Sequence, residues 1–190
     1  MAGDQVDNPE IVGDQVDASD DAALDDRASR NSVQRERIIE HIFVADVLRR
    51  MWQRGIVDVE VLRSEFDAGG YDLVIAFRGI TRHIQLKTSI VGGKTRRQTV
   101  GLRLMEKPSG CVIWIVATPE LHPQHYLWFG NAAGEPLPDI SRAKIAKHTK
   151  ANMERTKAER PQHRTIPLSA FVLVPSLDQL LFKLFGPLEI

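Results

Sequence analysis

Residues 71–88, YDLVIAFRGITRHIQLKT, narrow the possible folds more than any other stretch. Two runs rich in β-branched and aromatic residues flank Arg78-Gly79, the pattern of a hairpin closed by a two-residue turn. With that turn, Phe77 pairs with Ile80 and paired positions sum to 157, which sets Asp72 opposite Gln85. Lys87 lies two residues beyond Gln85. It therefore shares that face and is Asp72's diagonal neighbour. The other face carries Tyr71, Leu73, Ile75 and Phe77 against Ile84 and Leu86. A slip of one residue would expose the apolar set, so the hydrophobic pattern itself holds the register. One face is expected to be core. The other gathers an acid, an amide and a lysine at one end.

The chain of 190 residues, 43% hydrophobic, suffices for one domain with a real core. Its single cysteine, Cys111, excludes a disulfide framework and a multi-cysteine zinc site. Cys111 opens the apolar run CVIWIVA and reads as a buried hydrophobe. That run is the longest clean apolar stretch and falls far short of the ~20 residues a membrane span needs. The start, MAGDQVDNPE, is acidic and lacks an apolar core of the secretory kind. A soluble, cytoplasmic protein is expected.

The zero net charge hides an asymmetry. Residues 1–31 hold nine acids against two bases, so the remaining residues carry a net charge of +7. The tail repeats itself, Gly3-Asp4-Gln5-Val6-Asp7 returning as Gly13-Asp14-Gln15-Val16-Asp17, and has no aromatic residue. It is expected to be disordered, leaving 32–190 as a single domain. A functional alternative is an acidic arm that competes with an acidic ligand for the basic domain. Bases cluster in two places. Between Arg78 and Lys107 there are eight (Arg82, Lys87 and Arg103 among them) against Glu106, and between Arg142 and Arg164 eight more against Glu154 and Glu159. A basic run is usually a solvated face, but two balanced by a separate acidic tail point to a polyanionic partner.

The remaining elements follow from periodicity and punctuation. A helix is expected from Ser32, which can cap it, to Gln53, with Gly55 at C′. Val57–Arg63 alternates as a half-buried strand. Asp67-Ala68-Gly69-Gly70 is a turn, 80–88 a strand, and 89–97 a loop. Thr99–Glu106 fits either a short helix or a strand, and Pro108-Ser109-Gly110 breaks it. Residues 111–118 and 125–129 read as strands, and 139–160 as a basic helical stretch. Ser176-Leu177-Asp178-Gln179 is a capping box that opens a final helix ending at Gly186. The order α-β-β-β-(α)-β-β-α-α gives an α/β class with a mixed α+β sheet flanked by helices.

On the first helix, Phe43, Val44, Val47, Leu48 and Met51 form one apolar arc, and Glu40 falls inside it. A carboxylate there costs several kcal/mol unless it is paired or bound to a cation. The plain alternative is a salt bridge to an arginine of another element.

Gly70-Tyr71-Asp72-Leu73-Val74-Ile75, then His83-Ile84-Gln85-Leu86-Lys87-Thr88, together with Glu40 on a preceding helix, resembles the PD-(D/E)xK superfamily, the restriction-endonuclease-like nucleases. The resemblance covers roughly 34–118. Gln85 stands where the commoner signature has an acid. The resemblance implies an α-β-β-β-α-β core with C-terminal helical additions, and a Mg²⁺- or Mn²⁺-dependent endonuclease acting on DNA. It implies Asp72 as the main metal ligand, Glu40 as a second, Gln85 offering an amide oxygen, and Lys87 as the base that activates water or steadies phosphate charge. Asp67 is either a further ligand or an Asx-turn residue. Lys94, Arg96, Arg97, Lys144, Lys147 and Lys150 would grip phosphates without reading sequence. A homodimer is compatible, since single-site nucleases often use two subunits to cut both strands.

Other chemistries fit less well. His122 and His125 have Pro123 between them and no matching acid pair, which disfavours zinc. His83 points to the Gln85 face, where a surface strand histidine is the plainer reading; His41 is near the proposed site. Gly92-Gly93-Lys94-Thr95 lacks the spacing of a phosphate loop. Trp114 belongs to the core strand, and core packing is also the expectation for Trp52 and Trp128. Two further hypotheses stand beside the nuclease. One is a non-catalytic nucleic-acid- or partner-binding module on a decayed scaffold. The other is an ion network with no ligand.

Overall fold

The computed structural model describes residues 31–66, 69–148 and 157–188. The acidic tail up to residue 30, Asp67 and Lys150 lie outside them. Helix α1 (Ser32–Gln53) follows the expected bounds, but Asn31 occupies the cap position and makes no side-chain cap bond. Its far end closes as the sequence indicates. Gly55 takes φ 72, its N–H donates to Trp52 O, and the next N–H, of Ile56, reaches back to Met51 O. This double bond satisfies carbonyls that a helix end leaves open. Ile39, Phe43, Val47 and Met51 are buried at every fourth position, the stripe that seats α1 on the sheet. Leu48 and Trp52 are exposed, Trp52 by 72%, so the expected arc is narrower and Trp52 does not pack in the core.

Six strands form the main sheet, in the order β1-β2-β3-β5-β6-β9. They are β1 (Glu60–Arg63), β2 (Leu73–Phe77), β3 (Ile80–Ile90), β5 (Gly110–Ala117), β6 (Pro123–Gly130) and β9 (Val172–Val174). Among the described strands of this sheet only β3 and β5 run parallel. Their crossover contains β4 (Arg97–Gly101) and a 3₁₀ turn, Leu102–Glu106, so both expected conformations of 99–106 occur in succession. A second sheet, β4-β8-β7, stacks over one side. Here the structure departs from the sequence reading. The basic stretch 139–160 is not helical where it is described: Ile145–Lys147 is strand β7, and Glu159–Pro167 is strand β8. Among the described residues the C-terminal additions are therefore three strands, a 3₁₀ turn (Leu168–Ala170) and one helix, α2 (Leu177–Phe185).

The cores explain the layering. Every residue of β5 is buried, as a central strand covered on both faces must be. Cys111, Ile113 and Ile115 face α1 and α2, within a cluster that includes Phe43, Ile84 and Leu184. Val112, Trp114 and Val116 face the second sheet, with Val100, Leu104, Ile166 and Phe171. Burial pushes the Cys111 thiol up to about 12, so it is an inert hydrophobe. Helix α2 starts as expected, Ser176 Oγ accepting from the Gln179 N–H at 3.3 Å. Asp178 in its first turn takes a two-pronged bond from Arg50 and another from Arg54 at 2.9 Å, tying the end of α1 to the start of α2. Among the described residues no helix is long and apolar enough to cross a membrane.

Candidate functional site

The β2–β3 hairpin forms with the expected pairing, Phe77↔Ile80 through Leu73↔Ile84. Arg78 and Gly79 turn at φ 48 and 76, the two positive values that a tight hairpin turn of the right twist demands. The register then breaks at the residue that matters. Asp72 donates its N–H to Ile84 O at 2.9 Å, although Leu73 already stands opposite Ile84. Two residues of one strand thus face one of the other, a bulge. Asp72 is not simply opposite Gln85, and Tyr71 leaves the core face. It joins the second cluster instead, its ring edge-on to His83 with centroids 5.0 Å apart.

The bulge lets the Asp72 side chain take over the ladder. Asp72 Oδ2 accepts the Leu86 N–H at 2.6 Å, a backbone donor flanked by Gln85 and Lys87. Accepting a backbone N–H fixes where this carboxylate sits. The start of β2 is fixed from the other side too. Gly70 takes φ 71, and a side chain on Gly101 would meet the Gly70 Cα at 3.4 Å. Close backbone approach of two glycines sets the entry to Asp72 against the second sheet.

Gln85 is 5% exposed, and its Oε1 has no hydrogen-bond partner. It lies on the face shared with Val112 and Trp114, its neighbours on β5. A buried amide oxygen left unpaired costs on the order of 1–3 kcal/mol, so this position is arranged against stability. Lys87 is half-buried on the same face, and among the described residues no acid pairs with it. Ser89, next along, is fixed by Trp114 Nε1 at 2.9 Å. His83, at the other end, donates through Nδ1 to Pro108 O at 2.8 Å, leaving Nε2 as its open nitrogen. Half-buried Thr88 also has a buried hydroxyl oxygen without a partner.

Glu40 adopts the arrangement of the plain alternative. Its carboxylate, 13% exposed, bonds Arg37 at 3.0 Å and lies 3.9 Å from Arg63 of β1. Arg63 pairs with Leu73, so Glu40 belongs to the same end of the sheet as Asp72. No group of three His, Cys, Asp or Glu side chains able to hold a metal occurs among the described residues. Asp72, bonded to the Leu86 N–H, and Gln85, the residue before it, carry oxygen donors, hard ligands of the kind Mg²⁺ takes.

Two features escaped the sequence reading. Arg82, counted there among the basic cluster, is fully buried. Its guanidinium donates to Leu184 O and Lys183 O at 2.8 Å and to Asn131 O at 3.2 Å, and lies over the Trp128 ring. Burial lowers its pKa. Its alternation with Ile80 and Ile84 was the available signal. The second is Lys107, whose ammonium sits 5.7 Å from the Tyr71 ring centroid, beside the start of β2.

The phosphate-gripping candidates do converge. Lys94, Arg96, Arg97 and Lys144 line one open cleft of about 1070 Å³. Arg97, Lys144, Lys147 and Lys157 line an adjoining one.

No protein-family model matches the chain, and no curated protein matches it. A solved structure described as a bacterial homing endonuclease, I-Ssp6803I, is similar over 65% of this chain and 79% of its own, with 18% identity and a TM-score of 0.32. A likeness that slight carries no argument about what this protein does.

Proposed function

We propose that the Asp72–Gln85–Lys87 face is the centre of a metal-dependent nuclease that hydrolyses phosphodiester bonds in DNA. The observation that carries this reading is the buried, unpartnered Gln85 Oε1 beside a carboxylate anchored to the intervening Leu86 N–H. Buried side-chain oxygens are ordinarily hydrogen-bonded, and this one has no protein partner. Asp72 and Gln85 would hold Mg²⁺ or Mn²⁺ through oxygen. When bound, such an ion neutralises phosphate charge and acidifies water. Asp72, fixed through Leu86, keeps its carboxylate aimed without reorganising. Lys87 takes a proton from the attacking water or steadies charge on the phosphate. Glu40 stays with Arg63 and helps hold β1 beside the site.

A second reading has its own observation. A neutral amide in place of an acid, with Glu40 already ion-paired, leaves few negative ligands, as a binding module with a decayed centre would have. Cleavage of labelled DNA in Mg²⁺ or Mn²⁺ against EDTA separates the two. The nuclease cuts only with metal, and Lys87→Ala, shown to be folded, does not cut. Salt-sensitive binding with no cutting by the wild type would select the binding module.

A further inference from the structure

We infer that the outer face of the second sheet is a track for the backbone of a double-stranded nucleic acid, gripped through phosphate rather than through bases. It rests on the nuclease reading only for the choice of nucleic acid among polyanions, and it names the form of the substrate.

The sheet's pairing makes the face. Thr99 stands opposite Thr165 and Arg97 opposite Pro167, while Ile166, between Thr165 and Pro167, and Val100, next after Thr99, are buried in the core. Period-two alternation therefore turns Arg97, Thr99 and Thr165 outward. Lys144 is tied alongside, the Thr165 N–H donating to Lys144 O at 2.8 Å. The two clefts share Arg97, Lys144 and Thr165, so they form one continuous channel from Lys94 to Lys157. Its described lining carries Lys94, Arg96, Arg97, Lys144, Lys147 and Lys157 and no acid. The nearest acid in the pairing is Glu159, opposite Lys147. Among the described residues none of Lys94, Arg97, Lys144, Lys147 and Lys157 forms an ion pair. Arg96 spends bonds on Gly93 O and Thr95 O, which shape the loop. That loop leads from the strand that carries Lys87 to Arg97.

Lining composition selects the form of the ligand. Cations and hydroxyls contact phosphate oxygens and carry no sequence information. Proteins that hold single strands add aromatic platforms on which bases stack; among the described residues no Phe, Tyr or Trp lines either cleft, and the one aromatic ring there is the His148 imidazole. A backbone whose bases are already stacked on one another needs no such platform.

The test is fluorescence anisotropy in EDTA, with a short duplex and each of its strands, over a range of salt. The wild type should bind the duplex at least about tenfold more tightly than either strand, with a steep salt dependence. Arg97→Ala with Lys144→Ala should weaken duplex binding about tenfold or more and lessen the log–log salt slope by about 2. Lys94→Ala with Lys157→Ala should do the same on an independent pair, and Arg49→Ala, which removes a base paired with Asp46 on α1 across the main sheet from the track, should bind as the wild type does. Equal binding of single strands, or unchanged duplex binding in both double variants, would overturn the track. Because no metal is present, loss of cutting alone leaves this result untouched. Duplex binding through the track without metal-dependent cleavage would sink the nuclease reading while keeping the surface.

Discussion

Arg82 and Gln85 are near neighbours on one strand and are both buried, yet the two faces of the main sheet treat them oppositely. On the helix-covered face, Arg82 spends its guanidinium on carbonyls of α2's last turn and of the 131–132 loop. Those helix-end carbonyls have no partner within the helix, and a cation there also complements the helix dipole. On the face beneath the second sheet, Gln85 Oε1 bonds to nothing. The first group closes the fold; the second, like the Thr88 hydroxyl on the same strand, has bonding capacity to spare.

The largest effect should come from breaking the saturated side. Arg82→Met removes the donors for several buried carbonyls at once, at a cost of about 3–5 kcal/mol, since each orphaned acceptor costs roughly 1–3 kcal/mol. Urea denaturation measures it, and a loss under about 1 kcal/mol would mean that those carbonyls find water. Gly110→Ala comes next, because the new methyl would lie 2.5 Å from Leu104 O. Overpacking against backbone costs about 1–3 kcal/mol, which a thermal melt should show as a lowered Tm. It would also loosen the 3₁₀ turn that backs Gly70 and Asp72.

A smaller effect belongs to the helix tie. Hydrogen bonding from Arg50 holds the Asp178 carboxyl below its ordinary range, with Arg54 assisting. A depressed carboxylate adds stability above its unfolded pKa of about 4, and that stability is lost as pH falls through the lower folded value. The pair is partly exposed, so the term stays under about 1 kcal/mol. Asp178→Asn should flatten the acid limb of a stability-versus-pH profile below about pH 4 and leave the basal fold intact. Smallest of all is Gln85→Leu. Removing the open oxygen should leave stability within about 0.5 kcal/mol of wild type or raise it, as for apolar replacement of an unpaired group, while metal-dependent cleavage disappears. A loss of several kcal/mol would place Gln85 with Arg82 as scaffold.

Legibility in the sequence followed the range of the forces involved. The turn at Arg78-Gly79, the Gly55 helix stop and the Ser176 cap are local, and their readings agree with the structure. The Asp72 bulge was not legible, because it depends on a side chain replacing a ladder partner for Leu86 across the hairpin. Residues 139–160 misled for a different reason. They are rich in Ala, Lys, Arg and Glu, good helix formers, but where described they supply β7, which pairs with β8, and Ile140, which packs in the cluster of Val112 and Trp114. Tertiary burial outweighed propensity. Arg82 was legible by alternation and hidden by its charge, since a basic residue in a basic run reads first as surface.

If the open oxygen on β3 belongs to a cation site, a divalent ion should bind there and Asp72 should be needed for it. Titration of Mn²⁺ followed by electron paramagnetic resonance, on wild type, Asp72→Ala and Gln85→Glu, tests it most directly. Wild type should bind and Asp72→Ala should not. Gln85→Glu, which supplies a charged ligand at the same place, should bind at least about tenfold more tightly, a gain of about 1.4 kcal/mol. Equal binding by wild type and Asp72→Ala, or no gain from the added carboxylate, would contradict the account.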